Sequence, residues 1–261
     1  MGVVNVTPDS FSDGGRYAST ESAVAHARAL IAEGSDILDI GGESTRPGAD
    51  VVTLEEERRR VLPVIEALAD GNVPISVDTR KPVLMREAIA AGASLVNDIS
   101  ALEDPQALEA VAQSSAAVCL MHKQGEPGTM QQDPRYEDVV REVRDYLAGR
   151  IEAALKAGIA RERLVIDPGF GFGKTQEHNL ELARHLRELT KLGLPVLAGF
   201  SRKAMLGRIT GREAHERVHA SVAAAIYAVE QGASIVRVHD VTATRDALAV
   251  WFALKGTIDH S

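Results

Sequence analysis

The chain has 261 residues, 45% of them hydrophobic, and a formal net charge of −8. That length suits one domain only if the domain is an α/β barrel, and the apolar share is enough for a large core. An acidic balance without a Lys/Arg stripe excludes general nucleic-acid binding, the lone Cys119 excludes an internal disulfide and fits a reducing cytoplasm, and the apolar runs are too short for a membrane span or signal peptide.

Eight apolar runs read as strands: Val3–Val6, Ile37–Ile40, Ile75–Asp78, Leu95–Asp98, Ala117–Met121, Leu164–Asp167, Val196–Phe200 and Ile235–His239. The helical patterns that alternate with them are Glu21–Glu33, Leu54–Leu68, Pro82–Ala91, Pro105–Ser114, Tyr136–Ala157, Glu177–Leu192, Glu213–Gln231 and Val241–Leu254. Thr53 with Glu56 reads as a capping box, and Pro82 and Pro105 suit first helical turns. Strict alternation implies parallel strands, and eight such units imply closure, so residues 1–261 are expected to form a single (β/α)8 barrel domain of the α/β class. Polar, glycine-rich stretches at Thr7–Arg16, Gly41–Ala49, Lys123–Pro134 and Pro168–Thr175 follow strands one, two, five and six. Those are the loops where barrels of this kind carry their active sites.

The polar strand tips look chosen for one ligand. Leu164-Val165-Ile166 ends abruptly in Asp167, and the three glycines that follow leave the backbone thin enough for a flat ligand to lie against it. Asp78 and Asn97-Asp98 end two further strands. A carboxylate at a barrel mouth is costly unless something pairs with it, and the partner could be a metal or a ligand's N–H edge. With only His122 and His239 at the tips, an N–H-rich heterocycle is favoured over a metal. Arg237 and His239 stand two apart on strand eight, and Ser201 and Lys203 two apart beyond strand seven, which suggests an anion site where such barrels often hold phosphate. Each tip taken alone could equally be a strand-end cap or an ion pair.

Two motifs point elsewhere. Gly169–Thr175 ends in Gly-Lys-Thr, but Pro168 stands where a P-loop needs its first glycine. His215-Glu216-Arg217-Val218-His219 has the zinc-hydrolase spacing on a helix expected in the outer ring, where Val218, Val222, Ala225 and Val229 would form the stripe packed on the barrel, away from the mouth.

Taken together, the tips resemble the dihydropteroate synthases, pterin-binding barrel enzymes of folate synthesis. The resemblance runs through Met1-Gly2-Val3-Val4-Asn5-Val6-Thr7-Pro8-Asp9-Ser10-Phe11-Ser12-Asp13-Gly14-Gly15, Gly41-Gly42-Glu43-Ser44-Thr45-Arg46-Pro47-Gly48, Ser76-Val77-Asp78-Thr79, Val96-Asn97-Asp98, Met121-His122, Asp167–Lys174, Ser201-Arg202-Lys203 and Arg237-Val238-His239-Asp240. It implies that Asp78, Asn97, Asp167 and Lys203 hold a pterin ring, with Met121 and Phe172 packed near it. It implies that Asn5, Thr45, Arg237 and His239 hold a diphosphate, Asn5 also touching Mg2+. Phe11, Asp13, Arg46, Pro47 and Ser201 would shape or close the 4-aminobenzoate pocket. The implied reaction joins 6-hydroxymethyl-7,8-dihydropterin diphosphate to 4-aminobenzoate, giving 7,8-dihydropteroate and pyrophosphate, in a cytoplasmic homodimer that needs neither nucleic acid nor membrane. Departures are Lys123, where a Met is expected, His219, where a small residue is commoner, and a first strand that starts almost at the first residue, where relatives usually carry a preceding segment. The rival readings are a pterin-dependent methyltransferase domain, which has no use for a diphosphate pocket, and a catalytically idle pterin-binding paralogue.

Overall fold

The structure is a computed structural model that describes residues 1–7, 16–44, 52–126 and 128–256. Its elements run β1 (Gly2–Asn5), α1 (Arg16–Ala32), β2 (Leu38–Gly41), α2 (Leu54–Leu68), β3 (Ile75–Asp78), α3 (Pro82–Ala90), β4 (Leu95–Asp98), α4 (Pro105–Ala112), β5 (Ala117–Met121), α5 (Val139–Lys156), β6 (Leu164–Asp167), α6 (Gln176–Arg184), α7 (Arg187–Thr190), β7 (Leu197–Ala198), α8 (Ala204–Thr210), α9 (Val218–Glu230), β8 (Ile235–Val236) and α10 (Val241–Lys255). Strands β1 to β6 pair in sequence order and β7 pairs with β8, all parallel. Two bridges close the ring: Ile166 to Val196 joins β6 to the β7 run, and Gly2 to Val238 joins the β8 run to β1. The expected α/β barrel is therefore present, with a thin seam around β7 and β8, whose ladders stop at Ala198 and Val236 rather than at Phe200 and His239.

Side chains alternate between the inside of the barrel and the helix layer. Val4, Leu38, Ile40, Val77, Val96, Val118, Leu120, Leu164 and Ile166 face outward into the main core, beside the inner stripes of the helices. The opposite parity fills the interior: Met1, Leu95, Cys119, Val165 and Leu197 pack as a smaller apolar plug. One step further along β4, β5 and β6, on that same interior face, stand Asn97, Met121 and Asp167. The interior thus passes from apolar to polar toward the C-terminal mouth.

Local details depart from the sequence reading for identifiable reasons. Thr53 accepts from the Glu56 N–H at 3.3 Å, but the Glu56 carboxylate turns to Arg59 and Arg60, so only half of the capping box forms. α5 starts at Val139 because Asp138 caps it, accepting from the Arg141 N–H at 3.0 Å. The single helix expected over Glu177–Leu192 breaks after Arg184 into α6 and α7. α8, not expected, ends on Gly211 in the left-handed region. The helix expected over Glu213–Gln231 is a short turn at Ala214–Glu216 followed by α9, so the His-Glu-x-x-His run straddles a break and lacks the one-turn geometry of a zinc pair. Its buried stripe is Ser221, Ala225 and Ala228, so of the expected Val218, Val222, Ala225 and Val229 only Ala225 is buried, and His215, Glu216 and His219 are exposed.

Candidate active site

The C-terminal ends of β3 to β8 surround one cavity at the barrel mouth. Its carboxylate side is Asp78, Asn97 and Asp167; its cation side is Lys203, Arg237 and His239 with Ser201; Met121, Ile99, Phe170 and Phe172 supply apolar wall. Both banks therefore open onto one space, as a ligand with a basic edge and an anionic tail requires. Asn5 stands half-buried at the tip of β1 and is not among the lining residues. Phe11, Asp13, Thr45, Arg46 and Pro47 lie outside the described residues.

The floor is a buried polar network that centres on Asp39, a residue the sequence reading missed. Asp39 is fully buried in mid-strand on β2. Its carboxylate accepts from Arg237 Nε at 2.6 Å, Ser76 Oγ at 2.6 Å and Asn97 Nδ2 at 3.1 Å. Arg237 Nη2 also donates to Asp78 at 2.9 Å. Arg237 is thus a cation held between two carboxylates at the edge of the cavity that it also lines. Burial alone would weaken this guanidinium as a base; Asp39 and Asp78 outweigh that and raise its pKa. Asp78 is pushed up to about 7 by burial and by the Asp39 charge, with Arg237 opposing. Asn97 has its amide N–H on Asp39, while its buried side-chain oxygen has no partner among the described residues. A buried orphan acceptor is costly, and the cavity is where its donor must come from.

Asp98, the next residue, turns out to be a strand-end cap: it accepts the N–H groups of Ser100 and Leu102, each at 2.8 Å. It steadies a turn in which Ala101 and Leu102 both have positive φ.

Asp167 ends β6, 6% exposed. Burial raises its pKa, opposed by the Gly169 N–H, which it accepts at 2.7 Å, and by the charges of Lys203 and Lys174. The loop that follows runs so close to its neighbour that a Cβ on Gly169 would stand 1.9 Å from the His122 carbonyl oxygen, and one on Gly173 2.2 Å from that of Gln124. Phe170 tucks inward against Phe200, ring centroids 4.0 Å apart, and Phe172 carries Lys203 Nζ 4.1 Å above its ring. Burial lowers Lys203 to about 8, while Asp167 works in the other direction.

The cation bank is tied together across the seam. Ser201 Oγ accepts the His239 N–H at 3.1 Å and lies 2.9 Å from ring Nδ1. Arg202, held at φ 59, grips Asp240 through Nε at 3.2 Å and Nη2 at 2.6 Å. Among the described residues there is no group of three or more His, Cys, Asp or Glu that could hold a metal ion, and no helix is long and apolar enough to cross a membrane.

The family model described as "Pterin binding enzyme" matches residues 1–239. The dihydropteroate synthase of Neisseria meningitidis serogroup B is 56% identical over 261 residues, covering 97% of this chain and 92% of the relative. The chain belongs to the dihydropteroate synthase family. Members of this family are transferases of folate biosynthesis, which places the chain among enzymes rather than binding modules. A solved dihydropteroate synthase of Xanthomonas albilineans with 4-aminobenzoic acid superposes with a TM-score of 0.93 at 56% identity, covering 98% of this chain and 92% of that one. The same organism's enzyme in complex with 7,8-dihydropteroate gives a TM-score of 0.89 at 53% identity, with coverage of 98% and 92%. In family terms, the segments that carried the resemblance, from Ser76–Thr79 to Arg237–Asp240, converge on the cavity mouth. Asp39 and Ile99 lie outside those segments, and Phe170 and Lys174, inside the Asp167–Lys174 segment, had been given no role. For Asp39, a carboxylate in the middle of an apolar strand was the signal available.

Proposed function

We propose that this chain, acting as one pterin-binding barrel domain, condenses 6-hydroxymethyl-7,8-dihydropterin diphosphate with 4-aminobenzoate. The observation that carries the reading is the single cavity in which the unpartnered Asn97 oxygen and the carboxylates of Asp78 and Asp167 face Lys203, Arg237 and His239. The carboxylates and Asn97 accept from the guanidine-like edge of the pterin, and Lys203 donates to its carbonyl side while Phe172 and Met121 pack on the ring. His239 and Arg237, with Asn5 and Thr45, hold the diphosphate. Cleavage of the C–O bond leaves the electron pair on the diphosphate and positive charge on the pterin methylene. Fixed carboxylates below the ring stabilise that positive charge better in a water-poor cavity than in solution. The amine of 4-aminobenzoate then forms the C–N bond and gives up one proton. Phe11, Asp13, Arg46, Pro47 and Ser201 shape the site of this second substrate.

The donor set suits Mg2+ held mainly by substrate phosphates and water, since that hard cation takes only one or two protein oxygens. Asn5 would supply such an oxygen from the tip of β1; when bound, the ion neutralises charge on the departing diphosphate. A cytoplasmic homodimer fits the single buried cysteine and the exposed Tyr227 on α9 and Val250, Phe252 and Leu254 on α10, helices that pack on each other. Sedimentation would report the dimer.

The test is incubation with the pterin diphosphate, 4-aminobenzoate and Mg2+, with pyrophosphate and 7,8-dihydropteroate measured together. Pyrophosphate formed equally well without 4-aminobenzoate would identify a hydrolase and overturn the transfer reading.

A further inference from the structure

Lys174, the residue that tempted a P-loop reading, does not face any anion. It is 2% exposed, and its ammonium has three neutral acceptors: the Gly169 carbonyl at 2.9 Å, the Phe172 carbonyl at 3.0 Å and His122 Nδ1 at 3.0 Å. The three donors of the ammonium thus meet three acceptors, none of them a carboxylate. A buried ammonium without a contacting carboxylate is a poor choice for stability alone. Burial indeed lowers Lys174 to about 7, with Asp167 opposing and Lys203 reinforcing.

What the arrangement does achieve is positional. Gly169 is held on both sides: its carbonyl accepts from Lys174 and from the Phe172 N–H at 3.1 Å, and its N–H donates to the Asp167 carboxylate. The two peptide planes that meet at Gly169 are thereby both pinned, and this residue, at φ 67, links the Lys174 contact to the Asp167 contact. The Phe172 carbonyl is fixed by the same ammonium, and its ring is the one beneath Lys203. His122 is anchored in turn. Its N–H donates to the Asp167 carbonyl at 2.9 Å, and its ring stands edge-on to Tyr146 with centroids 4.9 Å apart. Burial and the Lys174 charge push its pKa down to about 2, so the ring stays neutral, and in the tautomer that carries its proton on Nε2 its Nδ1 accepts from Lys174.

We propose that Lys174, with His122 as its partner, is a positioning residue for pterin recognition: it locks the loop between β6 and α6 so that Asp167 and Phe172 meet the ring in register. This rests on the reading above that Asp167 grips the pterin. The test compares Lys174→Met, which keeps length and removes the donors, with Asp167→Asn. Each is titrated with 6-hydroxymethyl-7,8-dihydropterin, and KM is measured separately for the two substrates. Lys174→Met is expected to raise the pterin dissociation constant and the KM for the pterin diphosphate by about tenfold or more, as for a group displaced but still present. The KM for 4-aminobenzoate stays within about twofold, a split that general loosening of the barrel would not produce. Loss of pterin binding by Asp167→Asn with Lys174→Met unchanged overturns the proposal; unchanged binding by Asp167→Asn overturns the underlying reading instead. Should Lys174→Met fail to fold, His122→Phe keeps the ring contact and removes the acceptor. The same split there supports the lock, and unaltered pterin binding refutes it.

Discussion

Replacing Asp39 by Asn isolates the charge at the cavity floor. The amide oxygen can stand where the carboxylate now accepts from Arg237 and Asn97, and the amide N–H can donate to Ser76 Oγ once that hydroxyl rotates. Hydrogen bonds are therefore largely kept while one of the two counter-charges of Arg237 is lost. Removing a partner from a buried ion pair costs about 3–5 kcal/mol. Arg237 retains Asp78 at 2.9 Å, so the lower end applies, about 3 kcal/mol or roughly a hundredfold in the folding equilibrium. Urea unfolding of the two proteins, with the slope unchanged, reads this directly. A second consequence follows from the same geometry. Burial is the larger cause of the high Asp78 pKa, but Asp39 adds to it, so Asp78 should ionise at lower pH in the variant. A stability loss under about 1 kcal/mol would refute the claim that Asp39 and Arg237 form a buried charge pair and not a hydrated contact.

Titration of 6-hydroxymethyl-7,8-dihydropterin against pH is expected to show a bell. Asp78, raised to about 7, is protonated below that pH and cannot accept from the ring edge, so affinity climbs as pH rises through about 7. Lys203, lowered to about 8, loses its charge above that pH and affinity falls again; Lys203→Met should abolish only the alkaline limb. Gly169→Ala places a Cβ 1.9 Å from the His122 carbonyl at φ +67, so the loop must rebuild; a loss of about 2 kcal/mol in stability and tenfold or more in pterin affinity is expected, by urea unfolding and titration. The double variant His215→Ala, His219→Ala should keep full synthase activity and metal content, because both side chains are exposed on an interrupted helix; loss of bound zinc would revive the hydrolase reading.

Much of this was written locally. Buried parallel strands read as continuous apolar runs, so their polar last residues stood out, and Asp78, Asn97 and Asp167 were found by that contrast. Asp39 was not, because its meaning lies in Arg237, 198 positions away, and a lone carboxylate in a strand announces no partner. The carboxylate partners of Arg237 were not legible for the same reason. Spacing gave its strand face, but the charge it answers comes from β2 and β3. The break between α6 and α7 carries no proline or glycine to mark it; Leu186, buried there, is an ordinary core residue in an uninterrupted helical pattern. The turn ahead of α9 was equally silent, while α8 could have been suspected from Gly211.

The uneven wall of the barrel has a mechanical meaning. Asp78, Asn97 and Asp167 stand on ladders of four residues each, whereas Lys203, Arg237 and His239 extend from two-residue strands joined to the ring by isolated bridges. Fewer cross-strand bonds make local opening easier, so amide exchange should be fastest along that arc. The enzyme would then hold its bicycle in a stiff jaw and its anion in a yielding one, letting the pyrophosphate depart without dismantling the seat of the ring.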